Sequence, residues 1–150
     1  MYIDIKDPSQ HVWYLGKKEI FSYPEFRPGV SVRELYEDDV ELIKEGIELF
    51  TSEIKWAGMF NLETALDRLK KGHRMFVLLD GESVLGYTWF DDDYLDNFYV
   101  NRKRVDGDSQ DFCNYVCKLI DKDIRLFVVV PNETGHKFFS RLGFERTHNG

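Results

Sequence analysis

The stretch from Tyr94 to Ile120, YLDNFYVNRKRVDGDSQDFCNYVCKLI, restricts the fold more than any other part of the chain. Tyr94 to Val100 reads as a strand and Asn101 to Ser109 as a basic turn containing glycine. An amphipathic helix follows, because Phe112, Cys113, Val116, Cys117, Leu119 and Ile120 recur at helical spacing. A strand that feeds a helix through a glycine turn makes an anion site. The first N–H groups of the helix have no partner within it and carry the positive end of its dipole. Gly107 permits close backbone approach, and Arg102, Lys103 and Arg104 add positive charge.

The flanking patterns build a sheet around this unit. Val30 to Leu35 alternates as a half-exposed strand. Asp38 with Glu41 resembles a capping box ahead of the apolar stripe Val40, Ile43, Ile47, Phe50 and Ile54. Asn61 is placed to cap a second helix carrying Leu62, Ala65, Leu66 and Leu69, which Gly72 stops. Met75 to Leu79 and Val84 to Phe90 form a hairpin about Asp80-Gly81, and Gly86 in its second arm marks a bulge or a close approach. Ile124 to Val130 is nearly continuous and β-branched, as expected of a central strand buried on both faces, and Pro131 ends it. Glu133 to Leu142 reads as a helix ended by Gly143, and Phe144 starts a last strand. The order predicts an α/β domain with a mixed, largely antiparallel sheet and helices on both faces.

A chain of 150 residues, 43% hydrophobic and 31% charged, suits one compact soluble domain. The division expected is an N-terminal meander of short strands over residues 1–29, packed on a main domain over residues 30–150. The N-terminus lacks the plan of a signal peptide and no apolar run reaches membrane-spanning length, which points to a cytoplasmic protein with no membrane partner. A net charge of −7 argues against nucleic-acid binding and favours a cationic partner. Cys113 and Cys117, four apart on one helix with no histidine near them in sequence, read as buried thiols, and no metal site is expected.

Two motifs carry a resemblance. Arg104-x-x-Gly107-x-Ser109 fits, with one substitution, the Gln/Arg-x-x-Gly-x-Gly/Ala loop of the GNAT superfamily of N-acetyltransferases. Asn132-Glu133-Thr134-Gly135-His136-Lys137-Phe138-Phe139-Ser140-Arg141-Leu142-Gly143-Phe144 is similar to a second stretch of that family, with Phe139 where the family has Tyr. The resemblance runs from Val30 to Phe144. It implies a GNAT-like sheet whose strands Tyr94 to Val100 and Ile124 to Val130 lie parallel and splay apart at an acyl-CoA site. It also implies acetyl-CoA as co-substrate and a primary amine, of a small molecule or a protein, as acceptor. The alternative is a GNAT-like binding module that has lost acetyl transfer. Only Glu145 to Gly150 follow Phe144, too few to complete the family's terminal strand pair, and a bare edge invites pairing. The N-terminal meander, or that of a second copy in a homodimer, is expected to fill the gap.

Carried onto this chain, the resemblance assigns Phe98, Tyr99 and Val100 to the pantetheine arm and Arg104, Val105, Asp106, Gly107, Asp108 and Ser109 to the pyrophosphate. Asn132 and Phe138 would line the channel. Asp106 and Asp108 bring negative charge beside the expected phosphates. Acyl transfer to an amine needs a base and gains from an acid at the leaving thiolate. Asp96, with the parity of Tyr94, Phe98 and Val100, is the candidate base; the alternative is that it marks a wet strand end. With Phe139 unable to donate a proton, His136, Tyr94 and Tyr99 are the candidate acids. Trp56 and Phe60, between the first two helices, either enter the core or wall the acceptor pocket. Asp93, in the run Asp91-Asp92-Asp93, is either plain surface or an attractor for the amine.

Overall fold

The computed structural model describes residues 11–16, 23–53, 61–101, 104–129 and 132–147. Residues 1–10 and 17–22 of the expected N-terminal meander, the aromatic residues Trp56 and Phe60, and the basic pair Arg102 and Lys103 lie outside them. Eleven elements follow in order: β1 (His11–Gly16), β2 (Val30–Leu35), α1 (Val40–Glu53), α2 (Leu62–Lys70), β3 (Arg74–Asp80), β4 (Ser83–Asp91), β5 (Tyr94–Val100), α3 (Asp108–Ile120), β6 (Ile124–Val129), α4 (Glu133–Arg141) and β7 (Phe144–Thr147). The strands form one seven-stranded sheet in the order β2-β3-β4-β5-β6-β1-β7. Every pairing is antiparallel except that of β5 with β6.

Local chemistry accounts for most element ends. The Asn61 carboxamide oxygen accepts the Thr64 N–H at 2.9 Å and starts α2, as its position predicts. α1 differs from expectation by one residue. Its first turn is closed by the Ile43 N–H to the carbonyl of Asp39 at 3.0 Å, while the Asp39 carboxylate accepts the Tyr36 N–H at 2.8 Å. Asp39, not Asp38, therefore stands at the helix entrance. In the β3–β4 hairpin Gly81 takes φ +61, the conformation an Asp-Gly turn requires. The register then slips between Leu78 and Leu79, so that Leu78 faces Gly86 and Leu79 faces Val84. A Cβ on Gly86 would stand 2.8 Å from the Tyr99 carbonyl oxygen, so both readings of that glycine hold.

The sheet carries helices on both faces. Ile43 and Ile47 of α1 and Ala65 of α2 pack with Leu35, Met75, Val77, Tyr87 and Trp89. On the other face Phe112, Cys113, Val116, Cys117 and Ile120 of α3 and Phe139 of α4 pack with Phe76, Leu78, Phe90, Tyr14, Leu126 and Val128. Both cysteines are buried free thiols with sulfurs 4.0 Å apart.

One strand departs from its sequence reading, and another fills the place expected of the N-terminal segment. The apolar run of β6 predicts burial on both faces, yet Ile124, Leu126 and Val128 are buried while Phe127 is 38% exposed. The run hides an ordinary alternation, in which Phe127 sets its ring against Trp13 and Tyr94, with centroids 5.5 and 6.3 Å away. β1 takes the place left open beside β6. It pairs antiparallel with β6 from His11 opposite Val129 to Gly16 opposite Ile124, and with β7 from Trp13 opposite Thr147 to Gly16 opposite Phe144. Gly16 is required there, since a Cβ would lie 2.3 Å from the Phe144 ring.

Candidate active site

The parallel pair β5–β6 is in register at one position, Tyr94 opposite Arg125, supported by the Arg125 N–H to the Asp93 carbonyl at 3.0 Å. Beyond it β5 follows β4, β6 follows β1, and the two strands part. The gap is floored by rings: Phe98 lies 5.4 Å from Phe112, 5.5 Å from Phe138 and 6.3 Å from Phe139.

At the start of the gap β5 carries a bulge. Trp89 faces Asn97 and Phe90 faces Leu95, which leaves Asp96 opposite no residue of β4. The buried Thr88 hydroxyl donates to the Asn97 carbonyl at 2.5 Å and pins this step. The extra residue reverses the side-chain alternation. Phe98 and Val100 face the α3 side, and Tyr99 faces α1 and α2. The parity expected to join Asp96 with Phe98 and Val100 is thereby corrected.

Arg68 on α2 donates to the Asp96 carboxylate at 2.7 Å, with both side chains 31% exposed. Tyr94 is half-buried. Burial, reinforced by the Asp96 charge, pushes its phenol up to about 12, so at neutral pH it is a proton donor. The Arg125 guanidinium stands 5.0 Å from the Tyr94 ring centroid and donates to Asp93 at 3.0 Å. Asp92 is paired with Lys122, and Asp91 lies 3.7 Å from His73. Each carboxylate of the Asp91–Asp93 run thus has a basic partner within the fold.

His136 is held elsewhere. Its Nδ1 is 2.6 Å from the hydroxyl of the buried Tyr14, whose oxygen also accepts from Arg146 Nε at 3.2 Å. Nearby, Asn132 caps α4 by accepting the Gly135 N–H at 3.1 Å, and Phe139 is buried.

The turn into α3 is ordered by its own acid. Gly107 takes φ +96, and among the described residues, its chain neighbours aside, no atom lies within 4 Å of the point a Cβ would occupy. Arg104 turns back to donate to the carbonyls of Val100 and Asn101 at 3.3 and 3.1 Å. Asp108 is buried. Its carboxylate accepts the Val105 N–H at 3.0 Å and is gripped by Arg27, whose Nε and Nη2 each approach it to 3.1 Å. Burial pushes the Asp108 carboxyl up, but the bonds from Arg27 and Val105 outweigh it and hold the group below the usual carboxylate range. Asp111 is pushed up by burial and by the charge of Asp108. The N–H groups of Asp106, Gly107, Ser109 and Gln110 are not used by any of these contacts. Sequence reasoning alone misses Arg27 and Thr88. Thr88 has a signal, as a polar residue amid the apolar run Leu85 to Phe90; Arg27, in a segment that reads as a connection, has none.

The architecture is the GNAT-superfamily fold. Residues of this chain superpose with a TM-score of 0.63 on an aminoglycoside acetyltransferase, meta-AAC0020, from an uncultured soil metagenomic sample, at 15% identity over 79% of this chain and 90% of that one. A tandem GNAT protein from the clavulanic acid biosynthesis pathway gives 0.61 at 16% identity over 91% of this chain, and a Drosophila protein gives 0.68 at 14% identity over the same share. The chain spans about half the length of these last two, 49% and 47%. No protein-family model and no curated protein matches the sequence. Among the described residues no helix is long and apolar enough to cross a membrane.

Proposed function

We propose that this domain binds an acyl-CoA, acetyl-CoA in the first instance, in the gap between β5 and β6 and transfers the acyl group to a primary amine. The observation that carries this reading is the parallel pair joined, among the described residues, at Tyr94 and Arg125 alone, with β5 running on from it toward the Gly107 turn. The residues present suit such a ligand. Among the described residues, the N–H groups of Asp106, Gly107, Ser109 and Gln110 have no acceptor and gather at a left-handed glycine, an arrangement suited to phosphate at a helix N-terminus. The acid that would oppose a phosphate, Asp108, is turned inward and neutralised by Arg27. Phe98 and Phe138 offer an apolar wall.

The ligand supplies an activated thioester. Among the described residues, the N–H groups of β5 that face the gap have no β6 acceptor beyond Tyr94 and are available to polarise its carbonyl. The Tyr94 phenol, protonated at neutral pH, supplies a proton to the departing thiolate. Asp96 accepts one proton from the incoming ammonium once that cation displaces Arg68, and the second proton the nitrogen loses as the amide forms passes to the Tyr94 phenolate left by protonating the thiolate. An ion pair this exposed contributes about 1 kcal/mol or less, so the exchange is cheap.

A second reading, a binding domain without transfer, is favoured by Phe139 in the position of a proton-donating phenol. Calorimetric titration with acetyl-CoA tests the first. Micromolar binding, about −8 kcal/mol, abolished by Gly107→Trp, supports it; no binding by the intact protein refutes it. Binding without turnover across an amine screen decides for the second.

A further inference from the structure

The acidity of the α3 turn and the position of Arg27 bear directly on the acyl-CoA reading, on which this inference rests. Asp106 in the turn, with Asp108 and Asp111 in the first turn of α3, brings three carboxylates to the loop that is to receive a pyrophosphate. We infer that Arg27 is a positioning residue for that turn: by neutralising the buried Asp108 from beneath, it makes an otherwise repulsive loop able to accept phosphate.

Arg27 arrives from outside the α3 unit. Residues 23–27 lie along α3, with Tyr23 and Phe26 ring centroids 4.9 and 5.4 Å from that of Tyr115 and Lys118 Nζ 5.1 Å from the Tyr23 ring. The Gly29 carbonyl accepts the Gly81 N–H at 2.8 Å, and Arg27 Nη2 also donates to Asp80 at 3.3 Å. The strap is therefore anchored at both sides of the guanidinium. Its fork meets Asp108 through Nε and Nη2 together, the bidentate geometry that arginine offers and lysine does not. Asp108 in turn holds the Val105 N–H and with it the path of the backbone into Gly107. Arg27 lies under the turn and acts through Asp108. Without it, a buried carboxylate is left uncompensated next to the proposed phosphates, where low dielectric makes like charge costly.

Binding of two ligands by four proteins tests this. Acetyl-CoA carries phosphates; acetyl-pantetheine has the same thioester arm and none. Arg27→Met is expected to weaken acetyl-CoA at least tenfold while leaving acetyl-pantetheine within about twofold, and adding Asp108→Asn should restore most of the loss. Asp108→Asn alone keeps an acceptor for the Val105 N–H and frees a cation, so acetyl-CoA should bind about threefold tighter or better, with a steeper loss in salt. Equal weakening of both ligands by Arg27→Met would reduce Arg27 to a structural residue and overturn the inference, as would unchanged acetyl-CoA affinity. Should Arg27→Met fail to fold, Asp108→Asn decides alone: unchanged or weaker acetyl-CoA binding overturns the inference. An intact protein that binds neither ligand refutes the acyl-CoA reading itself, a result distinct from any of these.

Discussion

Gly86→Ala sets two effects of opposite sign against each other. Gly86 has no left-handed backbone, so alanine there carries no conformational strain, and stiffening the unfolded chain alone would stabilise the protein by about 0.4–1 kcal/mol. Against this, the new Cβ would stand 2.8 Å from the Tyr99 carbonyl oxygen, 3.0 Å from Val100 Cγ2 and 3.2 Å from Val100 Cα. Two of those atoms belong to the backbone of the neighbouring strand and cannot swing aside. β5 must move away by about half an ångström, in a sheet whose strands sit about 4.8 Å apart, with the buried Tyr87 and Trp89 on the same strand as Gly86. Overpacking of this kind costs about 1–3 kcal/mol. The net expectation is a loss of about 1.5 kcal/mol, or about 3–6 °C in Tm for a chain of this size. Urea and thermal unfolding followed by circular dichroism measure it. A Tm equal to or above that of the parent would show that β4 and β5 do not approach as described, and the account of the close strand crossing would fall.

Gly16→Ala drives a Cβ to 2.3 Å from the buried Phe144 ring and should cost about 1–3 kcal/mol in urea unfolding; a neutral result would contradict the seating of β1 against β7. The folded-state Asp108 carboxyl is held below its ordinary value of 3.8, so its contribution to stability is complete above about pH 4–5 and is lost as the pH falls through the lowered folded value. Unfolding free energies from about pH 6 down to about pH 2.5 should therefore fall less steeply in Asp108→Asn than in the parent, and parallel profiles would refute the assignment. Tyr94, with its phenol raised to about 12, should be absent from the first tyrosinate absorbance step near pH 10, and Tyr94→Phe should leave that step unchanged; a smaller step in the variant would mean a more exposed ring.

What is legible in the sequence is what short-range chemistry decides. Asp80-Gly81 determines the hairpin because few other residues allow its turn, Asn61 sets the start of α2, and the spacing from Phe112 to Ile120 sets the buried face of α3. Features set by distant partners are not visible. Strict alternation along β5 puts Asp96 on the face of Phe98, whereas the bulge that separates them depends on the Thr88 hydroxyl of the adjacent strand. Phe127 counts as core by composition, but it is the aromatic company of Trp13 and Tyr94 that lets it stay on the open face. Loop residues Asp106 and Asp108 look alike on paper. One is exposed and the other buried because Arg27, eighty-one positions earlier than Asp108, reaches only the second.

The same distant contacts explain how a sheet that opens in its middle stays one body. β6 shares a single registered pair with β5, so its ladder hydrogen bonds go almost wholly to β1, and β7 has no strand partner but β1 among the described residues. Backbone groups in a sheet interior must find partners, which makes the N-terminal strand the element that satisfies two others at once. The β6-β1-β7 half is then fastened to the rest by packing: Tyr14, Leu126 and Val128 share a core with Phe112 and Phe139, and Arg125 closes the hinge end on Tyr94 and Asp93. An opening between β5 and β6 would ordinarily expose two edges. Here the rings of Phe98, Phe112 and Phe138 meet beside the place where the strands part.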